Sequence, residues 1–401
     1  MKILFLNKRL LFPLNFGGNI RTLNVLRYLA QWHDVTYVSN IQPGEEGYAA
    51  QMRELGLRLE TIPWRETPRA SWRFWAKLAA NLGSVYPYSA NKEYDRRLRQ
   101  KVDELLSQES YDLVICDFVQ ISRNVMGLTS PPRILFQHNV EAQIFERHAH
   151  SDRNWLRRRY MGLQWKKMRR FEDSAGRQYD AVIAISNQDR DKFETDYGWD
   201  HVHVIDTAVN TEFFSPNGQA EQQDRLVFVG SLDWLPNQDG VRHFVERIWP
   251  EVLRRRPEAT FQIVGRNPPR SLERLEETPG VELVGSVPDV RPYVGNASVF
   301  VVPLLVGGGT RLKIFEAMAM GKAVVSTSLG AEGLPVTNGE HIQLADSPEN
   351  FAARVVELLE DATRRREQAD RGRRLILQNF SAETVARQFE EICQSVVTTR
   401  T

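Results

Sequence analysis

The sequence predicts an α/β protein made of two doubly wound domains, each built on a parallel sheet. Short apolar runs alternate with longer amphipathic segments along most of the 401 residues. The same plan starts again near residue 225, after a polar, turn-rich stretch over residues 210–223. At roughly 100–200 residues per domain, the length fits two such domains.

In the first cycle, Met1–Leu6 is predicted as a strand, and the helical spacing of apolar residues predicts a helix over Asn19–Gln31. Strands alternating with helices indicate parallel pairing with both sheet faces covered. The further strands predicted in this half are Val35–Val38, Leu113–Asp117, Ile134–Gln137 and Ala181–Ile185.

The second cycle has three strands that each run directly into a glycine, at Gly230, Gly265 and Gly285. The strands predicted here are Leu226–Val229, Phe261–Val264, Val281–Val284, Ser298–Leu305 and Ala323–Thr327. The helices predicted here are Val241–Val252, Lys313–Met320, Glu349–Leu359 and Glu383–Val396. The two halves share a plan but no residue-level repeat, so no internal duplication is inferred.

Composition excludes several classes of protein. A net charge of +1 argues against a nucleic-acid binder driven by bulk positive charge. Cys116 and Cys393 are too few and too far apart for a disulfide framework, which fits a reducing compartment. The longest apolar stretch, over residues 297–306, is far shorter than the ~20 residues of a membrane span, and a cytoplasmic location is expected.

The most informative segment is Val306–Val325, VGGGTRLKIFEAMAMGKAVV. A buried strand runs into three glycines, and a predicted helix then opens with Thr310, Arg311 and Lys313. Free N–H groups at a helix start and the two cations suit a diphosphate, and Glu316 suits a ribose diol. The alternative is a Gly-rich turn with Glu316 paired to Lys313, worth only ~0.2–0.5 kcal/mol.

This segment resembles the donor-site signature of the retaining glycosyltransferases of family 4, which have the GT-B fold. Glu316 stands at the second Glu of E-x(7)-E, and EAMAMGKAVV follows the pattern. Phe228-Val229-Gly230 and Ala184-Ile185-Ser186 match further landmarks. The resemblance implies two Rossmann-like domains facing a central cleft. It implies an acceptor-side domain over 1–212, a donor-binding domain over 213–382, and a C-terminal helix over about 383–401 that packs back on the first domain.

The resemblance also implies a site for a nucleoside-diphosphate sugar, used without a cofactor or metal. The residues it implies as catalytic are His138, Arg311 and Lys313. Those it implies as substrate-binding are Gly17, Gly18, Gly230, Ser231, Gly265, Val287, Gly308, Gly309, Thr310 and Glu316. Two departures stand out: the first Glu of the signature falls at Gly308, and the family's Arg and Lys fall at Ser231 and Pro236.

In the first domain, His138 follows a predicted strand in FQHNVEA, where the resemblance implies a contact to the donor sugar. The alternative is a strand-end histidine satisfied by packing. Glu141 and Glu146 are weaker candidates, with solvated helix charges as the default. In the resembling family, a glycine pair at the position of Gly17-Gly18 approaches the diphosphate or the acceptor. Asn19, a cap-type residue, and Arg21 support this role, and a plain turn before a helix is the alternative.

Two segments combine basic and aromatic residues: Arg153–Arg170, and the stripe that holds Trp72, Trp75 and Leu82. The favoured interpretation is two amphipathic helices packed on the first domain. The alternative is peripheral contact with a membrane that carries a lipid-linked acceptor.

The predicted function is transfer of a sugar to an acceptor hydroxyl with retention of anomeric configuration, in polysaccharide, glycolipid or glycoconjugate biosynthesis. One alternative is a sugar-nucleotide epimerase or hydrolase on the same fold. Another is a non-catalytic subunit that binds a sugar nucleotide. The sequence leaves the sugar, the nucleotide base, the acceptor and the oligomeric state open.

Overall fold

The computed structural model describes residues 1–14, 17–68, 70–151, 154–216, 218–306 and 312–400. The chain forms two compact units. The first comprises Met1–Asp206 and the chain from Val385 onward, and the second comprises Thr207–Thr384. The sequence-based division after residue 212 therefore lies inside the second unit.

The first unit contains a seven-stranded sheet in the order β3-β2-β1-β4-β5-β6-β7, and every adjacent pair is parallel. Its strands are β1 (Lys2–Leu6), β2 (Asp34–Ile41), β3 (Arg58–Pro63), β4 (Leu113–Asp117), β5 (Arg133–Phe136), β6 (Ala181–Ala184) and β7 (Val202–Val204). Its helices are α1 (Gly17–Trp32), α2 (Glu46–Arg53), α3 (Trp72–Leu82), α4 (Tyr88–Glu93), α5 (Arg96–Gln108), α6 (Glu141–Ser151), α7 (Trp155–Gly176) and α8 (Asn187–Tyr197), with a 3-10 turn over Val119–Asn124.

The second unit contains a six-stranded parallel sheet in the order β10-β9-β8-β11-β12-β13. Its strands are β8 (Arg225–Val229), β9 (Thr260–Val264), β10 (Val281–Gly285), β11 (Val299–Val302), β12 (Ala323–Ser326) and β13 (Gln343–Leu344). Its helices are α9 (Leu235–His243), α10 (Trp249–Arg255), α11 (Arg291–Asn296), α12 (Leu312–Ala319), α13 (Pro348–Glu360) and α14 (Ala362–Leu375), and α15 (Ala382–Arg400) ends the chain.

Both sheets are buried on both faces, which is why their strands are nearly continuous apolar runs. Leu226 and Phe228 of β8 pack in one apolar cluster, whereas Val227 packs in the cluster on the other face. The predicted α/β class with two doubly wound sheets is confirmed. No described helix is both long enough and apolar enough to cross a membrane.

Several details differ from the sequence-based expectation. The strand predicted over Ser298–Leu305 ends at Val302, because Pro303 has no N–H to donate to a neighbouring strand. The helix predicted over Val241–Val252 is divided by a π turn at Phe244–Ile248, just before Pro250. Strand β3 was not predicted because it is a sheet edge with mostly half-exposed residues.

The last helix belongs to the first unit from Val385 onward. Phe389 contacts Phe136 of β5 edge to face, with ring centroids 5.2 Å apart. His33 Nε2 lies 3.0 Å from a carboxylate oxygen of Glu390. The chain therefore returns to the first unit after completing the second sheet.

Candidate active site

In doubly wound sheets, ligands bind outside the carboxyl ends of the strands where the strand order reverses. That point lies between β1 and β4 in the first unit and between β8 and β11 in the second. Among the described residues, the predicted Gly230 and Ser231 follow β8, one of the strands at these points. Each unit is therefore described in turn.

In the second unit, the carboxyl ends of β8 and β9 touch through their backbones. Gly230 N–H donates to the Val264 carbonyl at 3.0 Å. A Cβ built on Gly265 would lie 1.8 Å from the Gly230 carbonyl oxygen, which no side chain tolerates. A glycine at 265 is thus a packing requirement of these two strand ends.

Lys313, in the first turn of α12, reaches the end of β8. Its Nζ donates to Asn237 Oδ1 at 2.9 Å and lies 4.5 Å from the centre of the Phe228 ring. A Cβ on Gly230 would lie 2.6 Å from that Nζ. Positive charge is therefore held directly at the glycine where a diphosphate is expected.

Glu316 lies one turn further along α12 and is partly buried. Burial raises the pKa of its carboxyl to about 7, and the charge of Lys313 opposes that shift. No described residue donates a hydrogen bond to this carboxylate. A carboxylate with acceptor capacity to spare suits a ligand that brings hydroxyl donors.

Sequence reasoning missed Arg266. Its Nε donates to Ser231 Oγ at 2.8 Å, and Ser231 Oγ donates to Asp233 Oδ1 at 2.5 Å. A guanidinium from the end of β9 thus reaches Ser231, where the resembling family carries an Arg after β8. The available signal was an arginine directly after the strand-ending Gly265, but pairing it with Ser231 requires the strand order.

The remaining predictions in this unit have mixed outcomes. Val287 packs against an apolar cluster of the unit, and a donor contact by it stays a prediction. Gly308, Gly309, Thr310 and Arg311 lie outside the described residues. Within the described ranges, no group of three or more His, Cys, Asp or Glu side chains is arranged to hold a metal ion.

In the first unit, His138 forms a buried pair with Asp117, the last residue of β4. His138 Nε2 lies 2.7 Å from Asp117 Oδ1. Asp117 Oδ2 accepts from Asn7 Nδ2 at 2.6 Å and from Thr22 Oγ1 at 2.7 Å. His138 Nδ1 is buried, and no described residue forms a hydrogen bond with it. The ring is thus anchored on one nitrogen only.

Phe118 connects the predicted glycines to the histidine. It has φ +74°, a left-handed value that is unusual for a bulky residue. Its ring stacks on the His138 ring, with centroids 4.3 Å apart. A Cβ on Gly18 would lie 2.7 Å from the Phe118 ring, whereas one on Gly17 would meet nothing closer than 3.9 Å. Gly18 therefore makes room for Phe118, and backbone strain is concentrated at this strand end.

Glu172 of α7 was also missed, although it fixes the segment around His138. Its carboxylate accepts from four donors: the backbone N–H groups of Glu141 and Ala142, Gln137 Nε2, and Tyr197 OH, at 2.8–3.1 Å. Burial raises its pKa to about 7, although these hydrogen bonds act in the opposite direction. A lone glutamate inside a charged helix gives no sequence signal for this role.

The weaker first-unit candidates are placed as follows. Glu141 is buried, which raises its pKa, and Glu146 is partly buried on α6. Asn19 lies inside the first turn of α1, and its side chain donates to the Leu11 carbonyl at 2.7 Å. The expectation that Asn19 caps the helix start is therefore wrong, because α1 begins at Gly17.

The strand orders, the glycine-ended strands and the charged residues at their ends define a glycosyltransferase of the GT-B type. Residues 17–213 match the model of "Glycosyltransferase Family 4", and residues 223–361 match that of "Glycosyl transferases group 1". The chain belongs to this family of glycosyltransferases. The family resemblance noted in the sequence is confirmed.

Similar proteins agree with this assignment. An uncharacterized 44.6 kDa protein in the cps region of Klebsiella pneumoniae is 23% identical over 72% of this chain and 75% of its own length. An MMP α-(1→4)-mannosyltransferase of Mycolicibacterium hassiacum is 25% identical over 58% of each chain. The structure of HepE from Anabaena in complex with UDP has a TM-score of 0.67 at 15% identity, covering 98% of this chain and all of that one. WaaG, a glycosyltransferase involved in lipopolysaccharide biosynthesis, has a TM-score of 0.59 at 15% identity, covering 98% and 99%.

Proposed function

We propose that this glycosyltransferase moves a sugar from a nucleoside-diphosphate sugar to an acceptor hydroxyl, with retention at the anomeric carbon. The observation that carries the donor class is the group at the ends of β8 and β9. There, glycine backbone, Lys313 and Arg266 lie together at the carboxyl ends of two neighbouring strands, of which β8 borders the point where the strand order reverses. Glu316 follows Lys313 by one turn of α12. The UDP complex of HepE supports a nucleotide donor of this kind.

Each part of this group has a distinct task in the proposal. Glu316 accepts hydrogen bonds from the ribose hydroxyls, which requires its ionised form. Lys313 and Arg266 stabilise the negative charge of the departing diphosphate, and Arg311, which lies outside the described residues, is proposed to add to this charge. This charge replaces the Arg and Lys that the family usually carries at positions 231 and 236.

The first unit is proposed to supply the acceptor side. His138 and Asp117 form a buried pair at a strained strand end, and Gly18 at the start of α1 lies against Phe118, whose ring stacks on His138. In this proposal His138 steadies the sugar as positive charge develops on it. Retention then involves same-face attack, with an oxygen of the leaving group taking the acceptor proton.

The acceptor is proposed to be a growing polysaccharide or glycolipid, handled in the cytoplasm with peripheral contact to the inner membrane face. The cps-region relative and WaaG support surface-glycan assembly. Tryptophans exposed on α3 and α7 support membrane contact.

The test is a thermal-shift screen against UDP-, GDP- and ADP-sugars, followed by product analysis with the donor that stabilises most. A donor at 100 times its dissociation constant is expected to stabilise the fold by ~2.7 kcal/mol. NMR of the product then reports the anomeric configuration, with Glu316→Ala as the site control. An inverted product refutes retention, and isomerised or hydrolysed donor without acceptor supports the epimerase or hydrolase alternative.

A further inference from the structure

The first unit contains a large cavity, and none of the candidate site residues described above lines it. Its volume is about 1140 Å³, above the roughly 300–1,000 Å³ of ordinary small-molecule pockets. Its walls come from the segment after β3 and from α3, α4, α6 and α7. They include Trp64, Phe74, Leu78, Phe145 and Tyr160. The cavity is thus extensive and largely apolar, which suits a long hydrocarbon chain better than a sugar.

The helices that line this cavity also expose large apolar side chains to solvent. On α3, Trp72 is 74% exposed and Trp75 is 61% exposed; on α7, Trp155 and Leu156 are both 59% exposed. Trp75 and Leu156 line the cavity as well. The apolar surface therefore continues from the protein surface into the cavity, as a lipid-binding site requires.

The charged residues around the cavity favour an anion. Four cations line it, Arg65, Lys77, Lys92 and Arg157, against one acid, Glu66. Lys92 forms an ion pair with Glu66, and Lys77 Nζ donates to Thr67 Oγ1 at 2.8 Å. The net positive charge complements a phosphate group attached to an apolar chain.

Two hydroxyl groups of the lining have no hydrogen-bond partner among the residues that the structure describes. These are Ser89 Oγ and Tyr160 OH, and both atoms are buried. Burial raises the pKa of Tyr160 to about 12, so its hydroxyl remains a donor near neutral pH. A buried polar group without a partner is costly, and an ester or phosphate oxygen of a bound lipid would satisfy it.

We infer that this cavity binds a phosphorylated single-chain lipid, with the hydrocarbon chain inside and the phosphate against the cations. This inference rests on the proposed function, because it makes the acceptor a glycan carried on such a lipid. In this inference, the exposed tryptophans on α3 and α7 contact the membrane from which the hydrocarbon chain of the lipid enters the cavity.

The experiment is calorimetric titration of the full-length protein with geranylgeranyl phosphate and with lysophosphatidic acid, each kept below its micelle concentration. Comparison of the two probes shows whether the cavity prefers an isoprenoid or an acyl chain. Inorganic phosphate tests binding of the phosphate group alone, and geranylgeraniol tests binding of the hydrocarbon chain alone. Ala80→Trp plugs the cavity from an exposed position that lines it. The matched control is Ala79→Trp, also exposed on α3 but outside the lining.

We expect at least one phosphorylated lipid to bind, and Ala80→Trp to weaken it at least tenfold while Ala79→Trp leaves it within about twofold. Arg65→Gln combined with Lys77→Gln is expected to remove the preference for geranylgeranyl phosphate over geranylgeraniol. Absence of binding by both phosphorylated lipids, or equal binding by both tryptophan variants, would overturn the inference. The thermal shift with a nucleotide sugar is measured on the same samples. It reports on folding and on the donor site, so failure of the lipid site is distinguishable from failure of the proposed function.

Discussion

The two units share a doubly wound strand order, yet the points where that order reverses are built differently. In the first unit, aromatic and polar side chains fill this point: Phe118 stacks on His138, and Asp117 is hydrogen-bonded to three partners. In the second unit, Gly230 ends β8 at this point, and Gly265 at the end of the neighbouring β9 brings backbone against it, with cations beside the pair.

This difference teaches that similar topology serves two chemical tasks. A filled strand end fixes side-chain geometry but leaves little backbone for a large anion. A glycine-ended pair has no side chains at its strand ends and therefore leaves room for phosphates beside the cations. Each unit also holds a glutamate with a pKa near 7, but Glu172 has four donors whereas no described residue hydrogen-bonds Glu316.

The largest expected effect is that of Gly265→Ala. The new Cβ would lie 1.8 Å from a backbone oxygen and 2.9 Å from Leu232, so the strand ends must separate. We expect a loss of about 3 kcal/mol or more in the free energy of unfolding, measured with urea, together with loss of nucleotide binding. Gly17→Ala in the first unit is the control, because its Cβ meets nothing within 3.8 Å, and its expected change is within about 0.5 kcal/mol. Similar values for the two variants would contradict the packing requirement.

Glu316→Ala is expected to weaken binding of the nucleotide sugar by about 2–4 kcal/mol, the scale of lost hydrogen bonds to a charged group. Because the pKa of Glu316 is raised to about 7, its accepting form becomes populated as pH rises through neutrality. Wild-type affinity should therefore increase between about pH 6 and pH 8 and stay flat in the variant. Titration calorimetry with an intact nucleotide sugar, whose diphosphate does not titrate in this range, measures both effects. Unchanged affinity would remove Glu316 from the site.

Glu172→Gln is expected to destabilise the protein by about 1–3 kcal/mol, because an amide has one acceptor oxygen for four donors. The raised pKa means that the native state binds a proton more tightly than the unfolded chain does. That stabilisation is complete below the unfolded value of about 4.5 and is lost as pH rises through about 7. The difference in the free energy of unfolding between the wild type and the variant should therefore become smaller from pH 5 to pH 8, as measured by urea unfolding. A difference that grows with pH would show that the ionised form is the stabilising one.

The smallest effect is expected for Arg266→Gln, which removes the cation next to Ser231. Turnover with the nucleotide sugar should fall about tenfold, equivalent to roughly 1.4 kcal/mol in the barrier. Arg254→Gln is the matched control, since Arg254 is a surface arginine of the same unit paired with Glu251. Steady-state kinetics of the two variants should differ clearly, and equal rates would leave Arg266 without a role in catalysis.

The sequence predicted much of this architecture because burial on both faces of a parallel sheet produces short apolar runs. The runs at Leu113–Asp117 and Phe261–Val264 match β4 and β9 to within a residue. Edge strand β3 escaped detection because it is only half covered. Glu316 and Lys313 were predicted from the residues that follow the three glycines, whereas the prediction of His138 depended on the family resemblance.

By itself, the sequence determined which residues of each strand and helix are buried and where glycines end the strands. These features depend on residues that are close together in the chain. Only the tertiary structure decided that Arg266 reaches Ser231, that Asp117 holds His138 and that Glu172 accepts four donors. It also brought α3, α4 and α7 around one cavity. These contacts join residues distant in sequence, and they form only once strand order and helix packing fix which side chains become neighbours.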